Sequence, residues 1–142
     1  MSNAAPSPLT ALSPLDGRYH GKVAGLRAHF SEHGLIRNRV RVEVEWLKAL
    51  AAAPALAEIA PFSAATVVEL DAVVANFSTD DGEAVKAIEA TTNHDVKAME
   101  YWLKKRLGYN AEVIKVSEFI HFACTSEDIN NLSHGLMLAE AR

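Results

Sequence analysis

The stretch from Leu35 to Ala53 constrains this chain more than any other. Over eight residues, Arg39-Val40-Arg41-Val42-Glu43-Val44-Glu45-Trp46 alternates charged and apolar with period two, the pattern of a half-buried strand. Over the longer window, Leu35, Ile36, Val40, Val44, Leu47, Leu50 and Ala51 recur at helical spacing. Arg39 with Glu43, and Arg41 with Glu45, stand four apart and would form opposite-charge pairs on a helix surface. The run continues into Leu47-Lys48-Ala49-Leu50-Ala51-Ala52-Ala53, all compatible with a helix. Length and continuation therefore predict a helix from about Ser31 to Ala53, ended by Pro54.

The rest of the chain agrees with an all-α class. Residues 1–14 carry Pro6, Pro8 and Pro14 and are expected to be extended, and Ser2-Asn3-Ala4 resembles a cloning remnant. Asp16-Gly17 is a turn signal that leaves Arg18 and Tyr19 at its exit. A short helical turn is expected over Ala55–Ala60. Ser63 should cap a helix reaching about Phe77, with Val67, Leu70, Val74 and Phe77 on one face. Residues 78–82 read as a loop and cap before a short helix over Glu83–Ala90. Thr91-Thr92-Asn93-His94-Asp95 interrupts the pattern, with Thr92 and Asp95 at capping-box spacing. Helix resumes to a basic last turn at Lys104-Lys105-Arg106, which suits a C-terminus, and Gly108 stops it. Val113–Ala123 is apolar, with Val116, Phe119, Ile120 and Ala123 expected inward. From Thr125 a further helix carries Ile129, Leu132 and Leu136 inward and runs to Arg142 without a stop signal, as a fragment would. No repeat, low-complexity tract or convincing hairpin appears.

Composition narrows the function. The 142 residues suit one domain, 49% are apolar, and the net charge is −4. That charge gives no case for nucleic acid or an anionic membrane. The basic groups Arg37, Arg39, Arg41 and Lys104, Lys105, Arg106 read as solvated helix faces. The single Cys124 cannot form an internal disulfide, and no Cys/His spacing suits zinc, so no metal is expected. Cys124 reads as a small buried thiol in a reducing compartment. With no run of ~18 apolar residues and no signal-peptide pattern, a soluble cytoplasmic protein is expected.

Chemistry can sit at three places. Arg18 can make a two-pronged bond to a phosphate or carboxylate. Asn93-His94 sits at a helix start, where free N–H groups and the dipole attract anions. Thr125-Ser126 sits at another such start and adds two hydroxyls; Thr125 with Asp128 fits a capping box, and Asn130 and Asn131 behind it are poor helix formers with no packing role. Each has a plainer reading as a cap or a solvated side chain. His20, His29, His33, His121 and His134 lack ligand spacing; His121 and His134 fall on apolar stretches read as helical. On residues alone, the chain is a helical domain whose helix starts suit a polyanionic ligand.

Three segments carry a resemblance. Ser13-Pro14-Leu15-Asp16-Gly17-Arg18-Tyr19, Thr91-Thr92-Asn93-His94-Asp95-Val96-Lys97-Ala98 and Ser117-Glu118-Phe119-Ile120-His121-Phe122-Ala123-Cys124-Thr125-Ser126-Glu127-Asp128-Ile129-Asn130-Asn131 resemble, in order, the amino-terminal motifs of the bacterial adenylosuccinate lyases, within the fumarase/aspartase superfamily. The resemblance covers nearly everything after Leu9. It implies an N-terminal helical domain over 11–124, after a tail of 1–10, and the start of the central helical bundle over 125–142. It also implies a homotetramer that needs no metal or organic cofactor and eliminates fumarate from adenylosuccinate and from the succinyl-carboxamide intermediate of purine synthesis. Carried over, Arg18 and Tyr19 would contact the substrate phosphate. Asn93, His94 and Asp95 would line the site, with His94 orienting substrate, and Thr125 and Ser126 would hold the succinyl carboxylates. The base, a Ser on a Gly/Ser-rich loop, and the acid, a second His, have no match up to Arg142. Two other readings are a superfamily lyase acting on a different substrate such as argininosuccinate, and a non-catalytic helical interaction module; a signature loop after Arg142 would exclude the latter.

Overall fold

The computed structural model describes residues 7–142 and, among them, contains helices and no strands. The long helix is where the periodicity puts it. Helix α2 spans Glu32–Ala52, opened by Ser31, whose hydroxyl accepts the Gly34 N–H at 3.2 Å, and closed at Ala53 before Pro54. A preceding 3-10 turn, Ala24–Leu26, and a one-turn helix α1, Arg27–Phe30, carry no clear sequence signal. α1 lies so close to α2 that a Cβ on Gly34 would stand 2.4 Å from the His29 carbonyl oxygen, so this position requires glycine.

Helices α3 (Ala64–Ala75), α4 (Thr79–Thr92), α5 (Asp95–Arg106), α6 (Ala111–Lys115) and α7 (Ser126–Glu140) follow, with a second 3-10 turn at Ser117–Phe119 between the last two. α2 packs against α3, α4, α5 and α7, and α4 with α5 forms an αα-hairpin. The core includes Val40, Val44 and Leu47 of α2, Leu70 of α3, and Met99 and Leu103 of α5, all fully buried. Trp102 is buried too, edge-on to Phe77 with ring centroids 5.2 Å apart.

Several expectations are corrected. Residues 8–10 form a turn and 12–14 bend into the next one, rather than being extended throughout, with Thr10 N–H donating to Ser7 C=O at 3.0 Å; the proline φ suits a turn as well as an extended chain. Of the tail assigned to 1–10, residues 1–6 lie outside the described residues. α4 begins at Thr79, because Ser78 and Asp81 close a reciprocal capping box and draw 79–82 into the first turn. α5 is capped by His94 rather than by a Thr92–Asp95 box; Thr92 Oγ1 donates instead to the His94 carbonyl at 3.3 Å. The 113–123 stretch is not a continuous helix, since His121 and Ala123 adopt left-handed φ of 65° and 58°. This backbone turns Ala123 outward. α7 buries Ile129, Ser133 and Met137, while Leu132 is 60% exposed; the helix is rotated so that Leu132 sits on its outer edge. It ends at Glu140, with Ala141 as its C-cap.

The charged face of α2 is the largest correction. Neither the Arg39–Glu43 nor the Arg41–Glu45 pair forms. Arg41 and Arg37 both pair with Glu140 of α7 instead. Arg39 and Glu43 are buried and reach across the fold. Burial makes each charge demand a well-placed partner, and the local i, i+4 partner is outcompeted by better ones elsewhere.

Candidate functional site

The geometry of the site begins with Arg39. Its side chain is 8% exposed, and its Nη2 lies 2.7 Å from Asp95 Oδ2, at the first residue of α5. Its Nε donates to Asn130 Oδ1 of α7 at 2.9 Å. A guanidinium fixed at both ends thus joins the two helix starts singled out by their caps. One of the two amides that had no packing role is thereby explained; Asn131 is exposed.

At the α5 start, Asn93 takes a left-handed φ of 51°, a conformation Asn tolerates better than most residues. It lets the chain turn from α4 into α5 within two residues. His94 Nδ1 accepts the Lys97 N–H at 3.1 Å. A neutral ring in that role carries its proton on Nε2, leaving a donor on the exposed half of the imidazole. Asp95 is more committed than a freely lining residue: Oδ1 accepts the Val96 N–H at 2.8 Å and Oδ2 faces Arg39. Partial burial would raise its carboxyl, but the Val96 N–H and the Arg39 charge outweigh it and hold the group below its ordinary value.

At the α7 start the expected capping box is complete. Thr125 N–H and Oγ1–H both donate to Asp128 Oδ2, at 2.7 and 2.9 Å, and Asp128 N–H returns a longer bond of 3.4 Å to Thr125 Oγ1. The Thr125 bonds hold the Asp128 carboxyl below its ordinary range. The Thr125 hydroxyl is therefore occupied as a cap. The hydroxyl of Ser126, half-buried at the first position of the helix, makes no hydrogen bond among the described residues. Ser126 and Asn130 are four apart and share a helix face, so the face carrying Ser126 is the one turned to Arg39.

The segment leading into α7 is anchored by a feature the sequence did not reveal. Glu43, fully buried, accepts the His121 backbone N–H at 3.0 Å and lies 2.6 Å from the His121 ring Nδ1. Burial pushes the Glu43 carboxyl above its ordinary value, against the pull of His121. Cys124, half-buried, has its thiol raised by desolvation and by the nearby Glu43 and Asp128 charges, so it is not an activated nucleophile. Glu43 gave no signal because its spacing to Arg39 offered a simpler local explanation. The left-handed residues, His121 and Ala123, are not types that announce that conformation.

Arg18 and Tyr19 stand apart. They leave the Ser13–Tyr19 turns together, the guanidinium 5.5 Å from the ring centroid, and both are exposed. Among the described residues, neither hydrogen-bonds to the α5 or α7 start. The fold thus links Asp95, at the α5 start, and Asn130, one turn beyond Ser126 in α7, through Arg39, and leaves Arg18-Tyr19 as a separate exposed unit. No group of three or more His, Cys, Asp or Glu side chains is placed to hold a metal among the described residues. No helix among them is long and apolar enough to cross a membrane.

The chain as a whole is similar to known proteins. The adenylosuccinate lyase of Haemophilus influenzae is 61% identical over 136 residues, covering 96% of this chain and 30% of that protein. That of Escherichia coli K12 is 60% identical over the same length and coverage. That of Legionella pneumophila strain Corby is 43% identical over 133 residues, 94% of this chain and 29% of its own length. The chain therefore spans about 30% of the length of the relatives it matches most closely among these. The pattern of the family described as lyase matches from residue 17 to residue 142, which takes in Gly17-Arg18-Tyr19 and the whole of the other two motif segments, and the chain belongs to that family.

Proposed function

We propose that this chain is the substrate-holding, amino-terminal part of an adenylosuccinate lyase. The full enzyme eliminates fumarate from adenylosuccinate, giving AMP, and from the succinyl-carboxamide intermediate of purine synthesis. The observation that carries the reading is the 60% identity to a protein of that name over 136 residues, 96% of this chain. The geometry supports it. The substrate is a polyanion with a phosphate and a succinyl group, and two helix starts, a histidine donor and an arginine turn suit such charges.

In this reading Arg18 and Tyr19 hold the phosphate, Asn93 and His94 orient the substrate, and Ser126 with the open N–H groups of the α7 start holds a succinyl carboxylate. Asp95 and Thr125 shape the site through Arg39 and Asp128. The reaction is a β-elimination: a base removes the proton beside a carboxylate, the carbanion is stabilised as an aci-carboxylate, and an acid protonates the departing nitrogen. These 142 residues supply the grip on the carboxylate; the base and the acid belong to segments of the relatives' length not matched here. The full enzyme is proposed to be a cytoplasmic homotetramer that works without metal or organic cofactor, with residues 11–124 forming its N-terminal domain and 125–142 opening its central helices.

The test is fumarate release by the protein expressed at its relatives' length. Turnover of adenylosuccinate with none of argininosuccinate is expected, and the 142-residue chain alone should be inactive. A full-length protein that cleaves argininosuccinate instead, or neither compound, would overturn the reading.

A further inference from the structure

We propose that Arg39 is a positioning residue that sets the spacing of the two helix starts gripping the substrate and neutralises Asp95 between them. The inference rests on the reading above and deepens it, because Arg39 matches none of the segments that carried that reading. Its side chain is nearly closed to solvent, so it acts through its partners. Nη2 holds Asp95 beside His94, and Nε holds Asn130 one turn below Ser126. A shift of either helix start relative to the other must break one of these bonds.

Two physical arguments support the role. The first is geometric. Asp95 and Asn130 lie on different helices, and the branched, planar guanidinium satisfies both at once with fixed angles. A lysine offers one compact charge and cannot keep both bonds. The second is electrostatic. An ionised Asp95 next to His94 would repel an anionic ligand, and an arginine 2.7 Å away cancels that charge. The site can then keep an acid at a helix start, where it stabilises the dipole, without losing its attraction for anions.

The test uses the full-length protein. Arg39→Lys should raise KM for adenylosuccinate by about 10-fold or more while kcat changes by less than about 3-fold, because ground-state grip is lost and the distant acid and base are untouched. Arg39→Ala should be worse, and millimolar guanidinium should restore part of its KM, a recovery that general destabilisation would not give. Amide exchange supplies a readout independent of turnover. In Arg39→Lys, exchange should quicken together at residues 94–98 and 125–130 and remain unchanged over α3. Native KM in a folded Arg39→Lys variant, or faster exchange at one segment alone, would overturn the proposal. A wild-type protein without lyase activity would instead refute the proposed function, and the exchange result would still decide whether Arg39 couples the two starts.

Discussion

Glu43 and His121 are joined twice: the carboxylate takes both the backbone N–H, at 3.0 Å, and the ring Nδ1, at 2.6 Å, of a residue held in a left-handed conformation. The pair ties the middle of α2 to the strained approach of α7. Removing the carboxylate would leave a partly buried N–H without a partner and release the strain that the bond opposes. Glu43→Ala is expected to cost about 2–4 kcal/mol in denaturant unfolding, in the range for breaking a buried charged hydrogen bond. Glu43→Gln, which keeps one acceptor and loses the desolvated charge, should cost less. Equal costs for the two would mean that packing volume, and not the bonds to His121, is what matters.

The buried acids make opposing contributions to the pH dependence of stability. Glu43 has a carboxyl raised above 4.5 by burial, so the folded state takes its proton more readily than the unfolded chain. Its contribution favours folding at acid pH and is lost as pH rises through the raised value. Glu100 is the reverse. Burial would raise it, but Lys97 and Lys104 outweigh that and hold it below 4.5, so its contribution is present above 4.5 and lost as pH falls through the lowered value. Glu43→Gln should therefore flatten the stability curve above about pH 4.5, and Glu100→Gln should flatten it below. Denaturant midpoints taken across pH 3–7 check both signs, and the same flattening in both variants would refute the assignment.

What the sequence disclosed and what it hid follow from the range of the interactions. Ser63 and Thr125 were legible as caps because a cap bonds to a backbone N–H three residues on. The Asn93-His94 break was legible for the same reason, though not that His94 itself would be the cap. Arg39, Glu43 and Arg41 were misread because their partners lie on α5, α7 or the 121 turn, and spacing along one helix carries no information about those. Leu132 was misplaced because α7 offers two apolar faces and only packing against α2 chooses between them. In the candidate site the ligand-type residues were visible, and the residues that position them were not.

The outer face of α7 should govern self-association of the isolated chain. Trp46, Val42, Ala49, Leu132 and Leu136 line an open, mainly apolar groove of about 810 Å³ between α2 and α7. Trp46 itself is fixed by its indole N–H donating to the Phe122 carbonyl at 2.8 Å. Apolar surface gathered in this way favours association. The 142-residue chain is expected to show concentration-dependent sedimentation, and Leu132→Gln should weaken it with little change in stability, since Leu132 is already mostly in water. Strictly monomeric sedimentation of the unmodified chain at high concentration would dismiss this surface as sticky.

Ser126 offers the cleanest separation of grip from fold. The hydroxyls of Thr125 and Ser126 are adjacent, but among the described residues only the first has a partner, in the capping box with Asp128. Ser126→Ala therefore removes no internal hydrogen bond among the described residues, and alanine is a better helix former. Its effect on stability should stay within about 0.5 kcal/mol. Thr125→Ala should cost about 1 kcal/mol by loss of the cap. In the full-length protein, loss of a hydrogen bond to a charged carboxylate at Ser126 is worth about 1.5–3 kcal/mol, so kcat/KM should fall by roughly 10- to 100-fold. Thermal unfolding and steady-state kinetics on the two variants separate the roles: a stable, impaired Ser126→Ala assigns the hydroxyl to the substrate. A stable variant with native kinetics would leave the α7 start as a helix cap alone.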